Sequence, residues 1–75
     1  MKERLESLIG NWYGQLDDIY VELAKIGVDF DYATSEYIIA WYLDKEEDEM
    51  VEVKIRLGGT PSTITIEDIE ESYRG

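Results

Sequence analysis

Carboxylates dominate the reactive groups of this 75-residue chain: it holds 18 Asp and Glu, no histidine and no cysteine. Paired carboxylates can run glycosidase-type acid/base chemistry. That requires one carboxyl in an apolar cleft with a raised pKa, beside another in a polar setting. Here nearly every acid falls on a face or turn expected to be exposed, and so short a chain leaves little material for a cleft. Nucleophilic catalysis lacks a histidine base and a strained G-x-S-x-G elbow, and nothing points to a Ser–Lys pair. Gly58-Gly59 has neither the Walker spacing nor the following lysine of a phosphate cradle. Asp44, Glu46 and Asp48 match the first three positions of a calcium loop. Glu49 stands where that loop needs glycine, however, and Ile55 where it needs glutamate. An acidic turn that attracts divalent cations weakly accounts for the match. The expectation is a non-enzymatic protein without cofactor or metal.

Binding is the chemistry these residues favour. Asp29 and Asp31 project two residues apart from an alternating segment, so about 6.6 Å separates their backbones at the usual strand rise. That is close to the spacing of successive phosphates along a nucleic-acid strand. Asp44, Glu46, Glu47, Asp48 and Glu49 crowd one turn. Glu67, Asp68, Glu70 and Glu71 fall on one face of an expected C-terminal helix, opposite Ile66, Ile69 and Tyr73. Together these three clusters suggest a mimic of a phosphate backbone. Against this stands the plainer reading that each run is a solvated face. A second surface would combine Ile38, Ala40 and Tyr42 with Glu52, Lys54, Arg56 and the two aspartates. Apolar groups ringed by charge resemble an interface, for a homodimer or for a partner's anchor. Trp12 and Trp41 are expected in the core.

The elements that position these groups follow from periodicity. Tyr37-Ile38-Ile39-Ala40-Trp41-Tyr42-Leu43 is the most apolar run, rich in aromatic and β-branched residues, and reads as a central strand. Val28, Phe30 and Tyr32 alternate inward with Asp29 and Asp31 outward, giving a half-buried strand before it. Met50–Leu57 alternates again, with Val51, Val53, Ile55 and Leu57 on one side. Residues 28–57 therefore read as an antiparallel meander. Ahead of it, Leu5, Leu8, Ile9, Trp12, Leu16, Ile19, Tyr20, Leu23 and Ile26 recur at helical steps. They predict one amphipathic helix over residues 2–26, with a bend near Gly10-Asn11 and Gly27 as its C-cap. Gly58-Gly59-Thr60-Pro61-Ser62 reads as a loop. The tail is ambiguous: Ile64 and Ile66 alternate like an edge strand. The spacing of Ile66, Ile69 and Tyr73, with Thr65-x-x-Asp68 as a capping-box analogue, favours a short helix over 66–73. The predicted fold is α+β, a single domain over 1–75: one long N-terminal helix packed on a three-stranded antiparallel meander, then a short C-terminal helix (α-β-β-β-α).

Charge sets the class of partner. Seven bases leave a net charge of −11, and residues 28–57 alone carry nine acids against three bases. Such a chain is repelled by nucleic acid and by anionic membranes and is drawn to a basic protein. Solubility in a salty or hot habitat is the bland alternative. No apolar run is long enough for a signal peptide or a bilayer span, so a cytoplasmic location is the default. By size and composition the chain is similar to the small acidic inhibitors that phages and plasmids direct against CRISPR effectors and restriction enzymes. The likeness is one of class, with no correspondence between residues. The leading expectation is an inhibitor that mimics nucleic acid on a basic DNA- or RNA-binding protein. The alternative is a self-associating structural or adaptor module using the Ile38/Tyr42 face.

Overall fold

The structure, a computed structural model, describes residues 1–60 and 62–74. In chain order it contains α1 (Lys2–Glu6), β1 (Trp12–Tyr13), α2 (Leu16–Lys25), β2 (Asp29–Ala33), β3 (Tyr37–Asp44), β4 (Glu49–Thr60) and β5 (Thr63–Arg74). The strands form one five-stranded sheet in the order β1-β5-β4-β3-β2, and every neighbouring pair is antiparallel. The fold is thus mostly an antiparallel sheet with two short helices. It is not the long helix on a three-stranded meander that the periodicity suggested.

The expected N-terminal helix breaks at Gly10, whose φ of +90° lies outside the right-handed region. A residue with a Cβ adopts such a backbone only at a cost, so glycine marks the break. Gly10 N–H then donates to Ile66 O at 2.8 Å, and Asn11 O accepts from Ile66 N–H at 3.1 Å. Trp12 and Tyr13 continue that ladder opposite Thr65 and Ile64. Trp12, which kept helical phase, instead forms a two-residue strand with Tyr13 between Asn11 and Gly14. The apolar stripe survives because both helices face the same core: Leu5 and Leu8 come from the first turns, and Ile19 and Leu23 from α2.

The expected C-terminal helix is strand β5, and the reason is a β-bulge. Asp68 pairs with Arg56, and Ile66 already pairs with Leu57, leaving Glu67 as the extra residue. A bulge shifts the two-residue alternation by one. The inward series therefore runs Ile64, Ile66, then Ile69, Glu71 and Tyr73, and the three-residue step from Ile66 to Ile69 imitates a helix. The twelve-residue β4 supplies a partner for nearly all of β5, and this pairing outweighs a weak local helical preference. The expected loop over 58–62 is also shorter: Gly58, Gly59 and Thr60 belong to β4, while Pro61 lies outside the described residues.

One side of the sheet is packed. Ile38, Ala40 and Tyr42 of β3 stand opposite Ile55, Val53 and Val51 of β4 and form the core with α1, α2, Val28 and Ile66. Nine of these side chains are less than 2 % exposed. At roughly 1.5–3 kcal/mol for each buried aliphatic side chain, this layer carries most of the apolar stabilisation. Among the described residues no helix packs on the other face of the sheet.

Candidate functional site

That uncovered face is where the polar chemistry gathers. Strand alternation places Tyr37, Ile39, Trp41 and Leu43 of β3 beside Arg56, Lys54, Glu52 and Met50 of β4. On β5 the row continues with Asp68 and Glu70, opposite Arg56 and Lys54, and on β2 with Asp29, opposite Trp41. The parity is the reverse of the expected one. Ile38 is fully buried and Tyr42 is 5 % exposed under the helices, so neither can serve as an interface. Their odd-numbered neighbours face outward instead. Register is a property of strand pairing, and an apolar run that is apolar on both sides does not reveal which side is covered.

A second bulge shapes the β2 edge. The pairing with β3 shifts between Phe30 and Tyr32, so Asp31 is the extra residue. Phe30 turns to the helix side, its ring 4.1 Å from that of Tyr20. Tyr32, expected inward, pairs with Ile39 on the open face and meets Tyr37 edge-on at 6.4 Å. Asp31 reaches across the same face to accept a hydrogen bond from Trp41 Nε1 at 3.0 Å. The bulge removes the regular two-residue projection on which the phosphate-spacing argument for Asp29 and Asp31 rested. Lys54 Nζ sits 4.7 Å from the centroid of the Tyr37 ring, a cation–π contact that holds the amine over the aromatic face. Ile39 is 5 % exposed although it lies outside the main core, flanked by Tyr32 and Lys54 across the strands.

The open face is therefore an ordered surface with an aromatic centre (Tyr32, Tyr37, Trp41), an apolar end (Leu43 and Met50, 49 % and 42 % exposed) and carboxylates on both margins. Glu67 belongs to it as well: a methyl group placed on Gly58, in the same row, would collide with the Glu67 side chain. Trp12, opposite Thr65 in the edge strand β1, stands 71 % exposed. Neither tryptophan is a core residue as expected, since Trp41 is only partly buried.

The remaining expected site residues go elsewhere. Glu46, Glu47 and Asp48 form the turn between β3 and β4, with Asp48 at φ +53°, and Glu49 opens β4. Asp44 is spent on structure. Its Oδ1 accepts from the backbone N–H of Glu46 (3.1 Å) and of Glu47 (3.4 Å), and its Oδ2 from the Tyr73 hydroxyl at 3.1 Å. Glu71 points to the helix side, away from Glu70, and accepts a 2.6 Å hydrogen bond from the Tyr42 hydroxyl. Burial and then that bond hold the Tyr42 pKa well above the ordinary tyrosine value. Tyr73 is raised too, chiefly by its bond to Asp44. Tyr42, Glu71, Tyr73 and Asp44 line a groove of about 800 Å³ between the start of α1 and the end of the sheet.

Of the eleven carboxylates singled out in the sequence, the fold brings Asp29, Asp31, Glu67, Asp68 and Glu70 to one face. It leaves four at or beside the hairpin tip and commits Asp44 and Glu71 to internal bonds. The aromatic centre was missed. The signal for it was the run from Tyr37 to Leu43 being apolar on both sides, which demands cover on one face only when helices are few. No group of three or more acids among the described residues is arranged to hold a metal. No helix of the described residues is long and apolar enough to cross a membrane. Comparison with protein-family models, with curated proteins and with solved structures finds no match to this chain.

Proposed function

We propose that this chain is a non-enzymatic binding protein that docks its open sheet face on a basic, nucleic-acid-binding protein and competes there with the nucleic acid. The observation that carries this reading is the uncovered face itself. It holds an aromatic patch fixed by the Trp41–Asp31 bond and the Tyr32–Tyr37 contact, bordered by the carboxylates of β2 and β5. Aromatic groups are the usual anchors of interfaces, and carboxylate margins attract and orient a basic surface. The support for mimicry is the pair of carboxylate margins on β2 and β5, which flank a centre that also carries Lys54 and Arg56; it does not include a phosphate-like repeat along β2. Inhibition of a phage- or plasmid-encountered defence nuclease, of the CRISPR or restriction class, is the concrete form of this proposal.

The test is competition binding against a panel of nucleic-acid enzymes with labelled DNA and RNA, across salt. Displacement of nucleic acid that weakens from low to high salt is expected, since exposed charge pairs are screened. Joint reversal of Glu52 and Asp68 to lysine should weaken it by at least about tenfold. Affinity indifferent to salt and to those reversals would remove the reading.

Self-association is the second reading, carried by the neighbouring exposed Leu43 and Met50. Sedimentation of the wild type and of Leu43→Lys separates the two. A wild-type monomer at high concentration eliminates the dimer.

A further inference from the structure

We infer that the outer edge of β5, from Asp68 to Arg74, is a docking strand for a basic, extended peptide segment that adds to the sheet antiparallel or parallel to it. Over these residues β5 pairs continuously with β4 on one side, from Asp68↔Arg56 to Arg74↔Met50. On its other side the only neighbouring strand among the described residues is β1, which reaches no further than Thr65, with Gly10 and Asn11 extending the contact to Ile66. Seven residues of strand therefore present an edge of about 24 Å at the usual rise. Every second residue along it turns its N–H and C=O away from β4. The opposite edge of the sheet is unlike this one: β2 is five residues long and interrupted by its own bulge. Short, bulged edges resist strand addition, and long regular ones invite it.

Charge and shape determine the occupant. Side chains of an added strand would alternate between the two faces. On the open face they would run beside Asp68 and Glu70. On the helix side they would run beside Ile69, Glu71 and Tyr73, which form one wall of the 800 Å³ groove. That groove also contains Glu6, Asp44 and Glu46 against Lys2 and Lys45, which leaves it acidic with Glu71, and an apolar floor from Tyr42. Lysine or arginine fits both rows: an aliphatic stem lies along Ile69 or Tyr73 and the charged head reaches a carboxylate. A second copy of this chain fits less well, because the antiparallel register that pairs all of Asp68–Arg74 with itself sets Glu71 opposite Glu71. Main-chain bonds supply affinity and alternate side chains supply selectivity in such complexes. The inference shares with the proposed function the sign of the partner's charge. The edge shares Asp68 and Glu70 with the margin of the open face, and Glu52, which lies on the open face away from the edge, separates the two.

The probe is a fluorescein-labelled eight-residue peptide alternating lysine with valine, read by anisotropy against the full chain. A control peptide has the same side chains but N-methyl groups on alternate backbone amides. The unmodified peptide is expected to bind at least about tenfold more tightly than the methylated one, and Glu70→Lys should reduce its affinity by a similar factor. Glu52→Lys, in the middle of the open face, should change it less than about threefold. Amide exchange should slow at alternate residues between Asp68 and Arg74 and stay unchanged in β2. Equal affinity for the two peptides would reduce the effect to bulk charge and overturn the inference. Absence of binding, or protection confined to β2 or the open face, would overturn it as well. So would a sedimentation dimer whose protected amides are those of β5, since the edge would then belong to a second copy. If a nucleic-acid enzyme is still bound through Glu52 and Asp68 after any of these results, the open-face reading stands without the edge.

Discussion

The indole Nε1 of Trp41 donates a 3.0 Å hydrogen bond to Oδ2 of Asp31, joining the central part of β3 to the bulged residue of the edge strand β2. The bond ties an edge strand of five residues to its neighbour and anchors the indole of Trp41 on the uncovered face. Asp31→Ala should lower stability by about 1 kcal/mol, the ordinary net value of one such bond. It should also red-shift the Trp41 fluorescence as the ring is released to water. Chemical denaturation followed by tryptophan emission measures both. An unchanged spectrum and midpoint would show that the bond holds nothing in place.

Gly10 offers a test with opposite signs for two folds. In a continuous helix, Gly10→Ala would stabilise by up to about 1 kcal/mol. With φ at +90° it should instead destabilise by roughly 1–2 kcal/mol. Thermal unfolding of the single variant decides between a helix that runs through this point and a chain that turns there. Gly59→Ala should cost more, because φ is +96° and the added methyl would also press on the Thr63 carbonyl oxygen.

Tyr42 makes stability sensitive to alkali. Its folded pKa lies above the ordinary value, through burial and its bond to Glu71. A raised folded pKa means that the unfolded chain loses the proton first. The associated stability is therefore complete below about pH 10 and declines as pH rises from there toward the folded pKa, by about 1.4 kcal/mol per pH unit. Denaturant midpoints between pH 8 and 11 should show this fall. In Tyr42→Phe its slope should be smaller, at a cost near 1 kcal/mol at neutral pH from the lost bond.

The core is expected to be intolerant where both layers meet. Leu23 is completely buried between α2 and the sheet, so Leu23→Ala should destabilise by about 2–5 kcal/mol. Val21, on the outer side of the same helix and 53 % exposed, should accept alanine within about 0.5 kcal/mol. Comparable losses at the two positions would mean that α2 packs by a different face.

Much of this protein is legible in its residues because it rests on local chemistry. The helical period read over residues 2–26 holds unbroken only in its second half, from Leu16 to Lys25, with Ile19 and Leu23 inward. The alternation of Val51, Val53 and Ile55 announces a strand with those three on the core side, and the structure agrees. The acidity and the lack of histidine and cysteine bound the chemistry before any fold is known. What tertiary structure decided is everything that depends on pairing. A bulge at Glu67 turned an alternating strand into an apparent helix, and a bulge at Asp31 sent Tyr32 to the opposite face. The register between β3 and β4 chose which side of Tyr37–Leu43 would be buried. Spacing along a chain records distances between residues. It does not record which strand lies alongside, and only the hydrogen-bonded neighbour fixes where an extra residue is squeezed out and which face meets water.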